Sequence, residues 1–305
     1  MLKTPIVLFV FNRPSFAQLL FSTISIIKPK ILYIFADGPR LNNKEDLILC
    51  EETRKVFDYI NWPCRVEKFY SKSNIGCRES IPRGLNHVFS SEEECIILED
   101  DCIPEISFFQ FCENLLEKYR YETKIMTIGG HRSDGPNEFD SFSYFFSKYP
   151  SIWGWATWKN RWQKYDLMMS EWLQLRNTSW LSNILSSSEE VSYWHIFFDK
   201  MLRGLDTWDY ALFFSCWLNQ GLSIRPKVNM ISNIGFRVDA THTKSPEHLN
   251  IFPKSTDIYF PLVHPIKIEI DPEAEKRIEW VNFSGHHVRL LKLVRLEIEK
   301  RRFIK

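Results

Sequence analysis

Three consecutive carboxylates, Glu99-Asp100-Asp101, directly follow the apolar run Cys95-Ile96-Ile97-Leu98. Like charges crowded where a buried strand emerges cost free energy unless a cation or hydrogen-bond donors compensate. A hard divalent ion, Mn²⁺ or Mg²⁺, shared between one or two such carboxylates and a substrate's phosphates is an economical solution. The competing reading is a solvated acidic turn, with Asp101 or Pro104 opening the next helix. Further along, Asp206-Thr207-Trp208-Asp209 introduces an apolar helix over 210–218. There either Asp could serve as helix N-cap, or Asp209 could take a proton from a hydroxyl within hydrogen-bond reach. Trp153-Gly154-Trp155, with Trp158 and Trp162 close behind, offers ring faces suited to the C–H faces of sugars or to a base. Buried packing is the plainer role for each ring. His242, in a polar loop after 222–231 that also holds Arg237, has the chemistry of a metal or phosphate ligand, although a lone His is more often structural.

The elements that must position these groups alternate. Continuous apolar runs at 6–11, 31–36 and 95–98 read as strands covered on both faces, and 65–70 and 124–130 as further strands. Pro14 opens a helix, 44–60 is a charged amphipathic helix, and 80–89 is another. Strand and helix at this spacing predict an α/β fold with an open, mostly parallel sheet flanked by helices. Ligands of such sheets bind outside the carboxyl ends of the strands. Arg13, Asp37, Asn74 and Glu99-Asp100-Asp101 each follow a strand or its adjoining loop, so all could converge on that edge. Neither G-x-G-x-x-G nor G-x-x-x-x-G-K-[ST] is present, so any diphosphate must be neutralised by something other than those loops.

Composition bounds the partners. Among 305 residues the 39 basic and 38 acidic side chains nearly cancel, which argues against bulk-charge binding of nucleic acid. Seven Cys without zinc spacing read as reduced thiols. The apolar start lacks the cleavage site of a signal peptide, and no stretch of 18 uncharged apolar residues occurs. A cytoplasmic protein is expected, with peripheral contact to the inner membrane possible through the basic amphipathic tail at 288–305. That tail fits a helix packed on the domain or on another copy equally well, and the oligomeric state is open. Of the 11 Trp, only Trp62 precedes position 150, so the two halves of the chain differ chemically.

The ordered set of motifs resembles the GT-A-fold nucleotide-sugar glycosyltransferases, and more narrowly the N-acetylglucosaminyltransferase I family, which adds GlcNAc from UDP-GlcNAc to a mannose. That family carries Glu-Asp-Asp followed by Pro and a Phe pair, matched here by Glu99-Asp100-Asp101, Pro104 and Phe108-Phe109. Arg13 matches its Arg after the first strand, within an Asp-Arg pair that is Asn12-Arg13 here, and Asp37 matches an Asp that contacts uracil. Trp153-Gly154-Trp155 is similar to an acceptor-side Gly-Trp segment, and Trp208-Asp209 to a Trp-Asp whose Asp is the catalytic base. Ile224-Arg225-Pro226 recurs after it, and the resemblance spans about 5–240. It implies a Rossmann-like donor half at 1–130, an aromatic-rich acceptor half at 131–265 and a basic helical tail at 266–305. It implies a metal-dependent, inverting transfer from a UDP-sugar to a glycan or lipid-linked acceptor. Asp101 would hold the metal, joined by His242 from a late loop, and Asp100 the donor ribose or sugar. Arg13, Asp37, Asn74 and Glu99 would surround the nucleotide, and Asp209 would be the base. The alternatives are a sugar nucleotidyltransferase, which would want a Gly-rich basic loop after the first strand, and a non-catalytic carbohydrate-binding protein.

Overall fold

A computed structural model describes residues 2–134, 141–235 and 253–281. The first half runs β1 (Ile6–Val10), α1 (Pro14–Ile27), β2 (Ile31–Ala36), α2 (Lys44–Lys55), β3 (Arg65–Tyr70), α3 (Cys77–Ser91) and β4 (Glu94–Glu99). It continues with the short β5 (Cys102–Pro104), α4 (Ile106–Lys118) and β6 (Ile125–Gly129). The second half adds β7 (Tyr144–Ser147), β8 (Trp155–Trp158), α5 (Lys159–Trp162), α6 (Trp172–Leu175), α7 (Trp180–Ile184) and α8 (Ser188–Leu202). Then follow α9 (Asp209–Leu218), β9 (Leu222–Pro226), β10 (Ile231–Asn233) and α10 (Pro272–Glu279).

The fold is an α/β open sheet of eight strands in the order β3-β2-β1-β4-β8-β6-β9-β7. β3, β2, β1 and β4 are mutually parallel, as the sequence predicts. The second half is mixed, because β8 lies antiparallel between β4 and β6, and β7 lies antiparallel on β9. One sheet therefore runs through both halves.

The apolar runs are continuous because alternate residues feed two separate cores. Ile6, Leu8, Ile34, Ile96 and Leu98 pack with α1 and α4 on one face. Val7, Phe9, Phe35, Cys95 and Ile97 pack with α3 on the other. A third cluster joins α8, α9 and α10 around Trp172, Trp194, Phe198 and Trp217. The Trp skew is thus mainly a core: Trp155, Trp158, Trp162, Trp172, Trp194, Trp208 and Trp217 are all buried.

Part of the segment expected as a tail, 266–281, is built into the fold, while 282–305 lies outside the described residues. α10 buries Ala274 and Ile278 and pairs Glu279 with Lys148 at 2.7 Å and Arg277 with Asp134 at 3.3 Å. Glu275 is 5% exposed and its Oε1 accepts the Lys148 amide at 2.6 Å. Burial pushes its pKa up to about 7, against the pull of that amide and of the Lys148 charge. The folded protein therefore holds this proton more tightly than the unfolded chain. Stability falls as pH rises from the ordinary glutamate range to about 7, by about 3 kcal/mol. Denaturant titrations should show Glu275→Gln gaining on the wild type by that amount between pH 5 and pH 8. A difference independent of pH would refute the assignment.

Candidate active site

The acidic triplet leaves the sheet beside the end of β1. Glu99 is the last residue of β4 and lies in register with Phe9. The Asp100 amide donates to the Phe9 carbonyl at 3.0 Å, and the Phe11 amide donates to Asp100 Oδ2 at 3.1 Å. Arg13, at the entry to α1, closes the arrangement. Its Nη2 is paired with Asp100 Oδ1, and its Nη1 donates to Asp101 Oδ2 at 3.0 Å. Asp100 is buried at 1% exposure, whereas the Asp101 side chain is 20% exposed.

Charge in this corner is out of balance. Burial works against the Arg13 charge, but Asp100 and Asp101 outweigh it and hold the guanidinium protonated. Burial, with Asp101 and Asp100, drives the Glu99 pKa far above the carboxylate range, and the Asp209 charge adds to it. Asp100 is raised by burial too, with Arg13 pulling it back. One arginine does not neutralise this cluster, so it favours a proton or a further cation.

The chain after β4 is pinned by a small second sheet. β5 pairs antiparallel with β10, in the register Asn233 to Cys102, and the Ile234 amide donates to the Asp101 carbonyl at 2.9 Å. Gly235 comes so close that a Cβ there would lie 2.3 Å from Asp101 Oδ2. A side chain at position 235 would have to displace the Asp101 carboxylate. His242, seven residues on, and Arg237 lie outside the described residues.

Asp37 and Asn74 are brought together, in a job the sequence did not disclose. The Asp37 carboxylate accepts from the amides of Gly38 (2.7 Å), Ile75 (3.0 Å) and Gly76 (3.0 Å) and from Asn74 Nδ2 (3.0 Å). Both its oxygens are engaged in folding the loop that runs from β3 into α3. Arg54 adds bonds to the carbonyls of Asp37 and Ser71.

Asp209 is the first residue of α9, whose N-cap is Trp208 without a side-chain cap bond. Thr207 Oγ1 and the Tyr210 amide both donate to Asp209 Oδ1. Burial is the main cause of the raised pKa of Glu99, the Cys77 thiol, Tyr165, Tyr193 and Tyr210, and the Asp209 charge adds to each. Asp209 thus lies within electrostatic reach of Glu99. Asp206 was the other candidate cap for α9 and instead serves α3: Oδ1 accepts the Arg78 amide at 3.2 Å, and its carbonyl accepts the Cys77 thiol at 3.4 Å. The tie from Asp206 to Cys77 and Arg78 escaped the sequence reading. No local signal links residues 129 positions apart.

The aromatic segment divides. Trp153 is half-buried with its ring 4.4 Å from that of His131, whose imidazole burial keeps neutral. Trp155 corrects the expectation of a binding ring: it is 1% exposed, stacked on Trp208 at 5.5 Å and tilted against Trp162. Residue 155 points into the α3-side core, as strand alternation requires once Trp158 faces the α4 side. Gly154, at φ +62°, sits against Ile231, where any side chain would collide. Trp155→Ala should cost about 3–5 kcal/mol in a urea melt. Trp153→Ala should cost less, because its half-buried ring packs only against the edge of the main core.

Among the described residues no three His, Cys, Asp or Glu side chains are arranged to hold a metal by themselves. The corner fits an ion completed by a ligand's own oxygens: Asp101 presents an accessible carboxylate, and Glu99 resists ionising without more positive charge.

The sheet defines an open α/β class with its candidate site at the carboxyl end of the parallel strands. No family model matches the chain, and no curated protein matches it. Solved structures with a similar arrangement include a UDP-glucose pyrophosphorylase complexed with UDP-glucose, at 9% identity and TM-score 0.33, over 53% of this chain and 78% of that one. HddC from Yersinia pseudotuberculosis complexed with GMP-PN gives 12% identity and TM-score 0.33, over 52% and 77%. The 4-diphosphocytidyl-2C-methyl-D-erythritol synthase from Anaerococcus prevotii DSM 20548 gives 12% and 0.33, over 70% and 98%. Superpositions this loose carry no functional argument, and the fold class rests on the strand order itself. No helix among the described residues is long and apolar enough to cross a membrane.

Proposed function

We propose that the chain is a nucleotide-sugar transferase that moves a sugar from a UDP-sugar to an acceptor hydroxyl of a glycan or lipid-linked acceptor, with inversion. The observation that carries this is the electrostatic reach of Asp209 to Glu99, the last residue of β4, at the carboxyl end of the parallel strands. Asp101 would hold Mn²⁺ or Mg²⁺ together with donor phosphates, and the ion would supply Lewis-acid stabilisation of the departing diphosphate. Arg13 opposes the rise that burial gives the Asp100 pKa and would hold the side chain in place to meet the donor ribose or sugar. Asp37 and Asn74 shape the loop beside the nucleotide rather than offering a free carboxylate to it. Asp209, its orientation set by Thr207 and the Tyr210 amide, takes the acceptor proton as the hydroxyl attacks the anomeric carbon.

The second reading is a sugar nucleotidyltransferase, the class of the pyrophosphorylase among the structural neighbours. Against it stands the entry to α1, where Phe11-Asn12-Arg13 leads straight into Pro14 with no Gly-rich loop. One assay separates the two. The purified chain is given a panel of UDP-sugars with Mn²⁺, and separately sugar 1-phosphates with UTP, CTP or GTP. Metal-dependent UDP release supports sugar transfer. Pyrophosphate release instead replaces it with the second reading, and silence in both arms with no thermal shift by any nucleotide overturns both.

A further inference from the structure

The first turn of α3 is capped from a distant part of the chain. Its N-cap, Gly76, has no side chain, and the Arg78 amide instead donates to Asp206 Oδ1 at 3.2 Å, 128 residues away. A Ser, Thr or Asp at position 76 could satisfy that amide locally. Here φ at Gly76 is +77° and a Cβ would lie 2.6 Å from Asp206 Oδ1, so both backbone and space disfavour a local cap. Asp206 is exposed, and a solvated hydrogen bond of this kind contributes only about 1 kcal/mol to a fold. A local cap would stabilise α3 as well. What the distant one adds is a fixed position for the turn that supplies it.

That turn leads directly to Asp209. The Leu205 carbonyl accepts from Arg78 Nη1 at 3.1 Å and from the Thr207 amide at 2.9 Å, and Thr207 Oγ1 in turn donates to Asp209 Oδ1. The Cys77 thiol adds a bond to the Asp206 carbonyl at 3.4 Å. On its other side the start of α3 continues the loop folded on Asp37, whose carboxylate accepts the amides of Ile75 and Gly76. The loop that follows β3 and the turn that precedes α9 are therefore held together, with Arg78 and Asp206 at the join.

We propose that Arg78 and Asp206 are positioning residues that hold Asp209 in place against the loop folded on Asp37. The inference rests on the sugar-transfer reading, in which Asp209 is the base. A base must stand within hydrogen-bond reach of the attacking hydroxyl while that oxygen faces the anomeric carbon. Misplacing such a group by about 1 Å can cost about 10²-fold in rate. Through Arg78 and Asp206 the position of the base is set by the loop beside the nucleotide, and not by the α8–α9 turn alone. Neither residue is assigned a contact with the donor, so their loss should appear in kcat and not in KM.

The test is steady-state kinetics of the full chain with the UDP-sugar that gives the fastest metal-dependent UDP release, water serving as acceptor. Arg78→Met and Asp206→Ala should each lower kcat about 10- to 100-fold. Donor KM and the thermal shift given by UDP with Mn²⁺ should stay within about twofold of the wild type. Arg78→Lys, which can still donate to the Leu205 carbonyl, should recover most of the loss. The decisive measurement repeats both substitutions in an Asp209→Asn background. A residue that acts only through the base has nothing left to position there, so kcat should fall by less than about twofold further. Single variants with an unchanged kcat overturn the proposal. So does a raised KM at constant kcat, which would make Arg78 a donor-binding group. A full loss repeated in the Asp209→Asn background also overturns it, since a purely structural defect acts in both. A wild type without UDP release, or an Asp209→Asn variant as active as the wild type, instead refutes the sugar-transfer reading, and this proposal falls with it.

Discussion

Asp209→Asn is expected to lower kcat for sugar transfer by about 10²- to 10⁴-fold, the range for loss of a positioned general base. The thermal shift produced by UDP with Mn²⁺ should persist. The amide is nearly isosteric, and its oxygen can still accept from Thr207 Oγ1 and from the Tyr210 amide, the two donors that fix the carboxylate. The side chain opens α9 without capping it, so the loss to the fold should be small, of the order of a few tenths of a kcal/mol from the helix dipole. What the substitution removes is basicity. It also removes one of the charges that raise Glu99, so donor affinity should weaken little or even improve. A kcat within twofold of the wild type would make Asp209 a structural residue and leave the sugar-transfer reading without its base. A parallel loss of the nucleotide-induced shift would mean that the residue binds donor instead.

How much of this was legible beforehand depends on the range of the interactions. β1, β2 and β4 announce themselves because both faces of each are covered, so local composition alone betrays them. The antiparallel insertion of β8 does not. It is four residues long, and nothing within Trp-Ala-Thr-Trp reveals that it will lie between β4 and β6. The acidic triplet and Arg13 were legible as types, and their ion pairs follow from adjacent strand ends. Asp37 was legible only as a strand-end carboxylate, since its partners are backbone amides that sequence presents identically everywhere. The Trp excess was countable, but a count does not separate a ring facing a core from one facing a ligand; Trp153 and Trp155 sit one residue apart from the same Gly and part ways. The tie from Asp206 to the start of α3 depends on tertiary folding alone.

Arg13→Met should destabilise the protein by about 3–5 kcal/mol, the cost of leaving a buried carboxylate without its partner. Asp100 is that carboxylate: 1% exposed, with the Phe11 amide remaining as its donor once the guanidinium is gone. The defect should be pH-dependent in a definite sense. Asp100 already has a raised pKa, and losing Arg13 raises it further, so the folded variant keeps a proton that the unfolded chain sheds. Its deficit against the wild type should therefore shrink as pH falls toward the ordinary aspartate range and widen toward neutrality. Divalent ions provide the sharper measurement. In the wild type an incoming ion must share Asp101 with Arg13 Nη1, whereas in the variant that oxygen is released. Mn²⁺ alone should raise the melting temperature of Arg13→Met by more than that of the wild type, and Asp101→Asn in the same background should abolish the gain. Equal shifts in both proteins would place the ion away from Asp100 and Asp101. The triplet would then be a structural ion-pair network, with Arg13 as its permanent cation rather than a group that shares its carboxylates with a ligand.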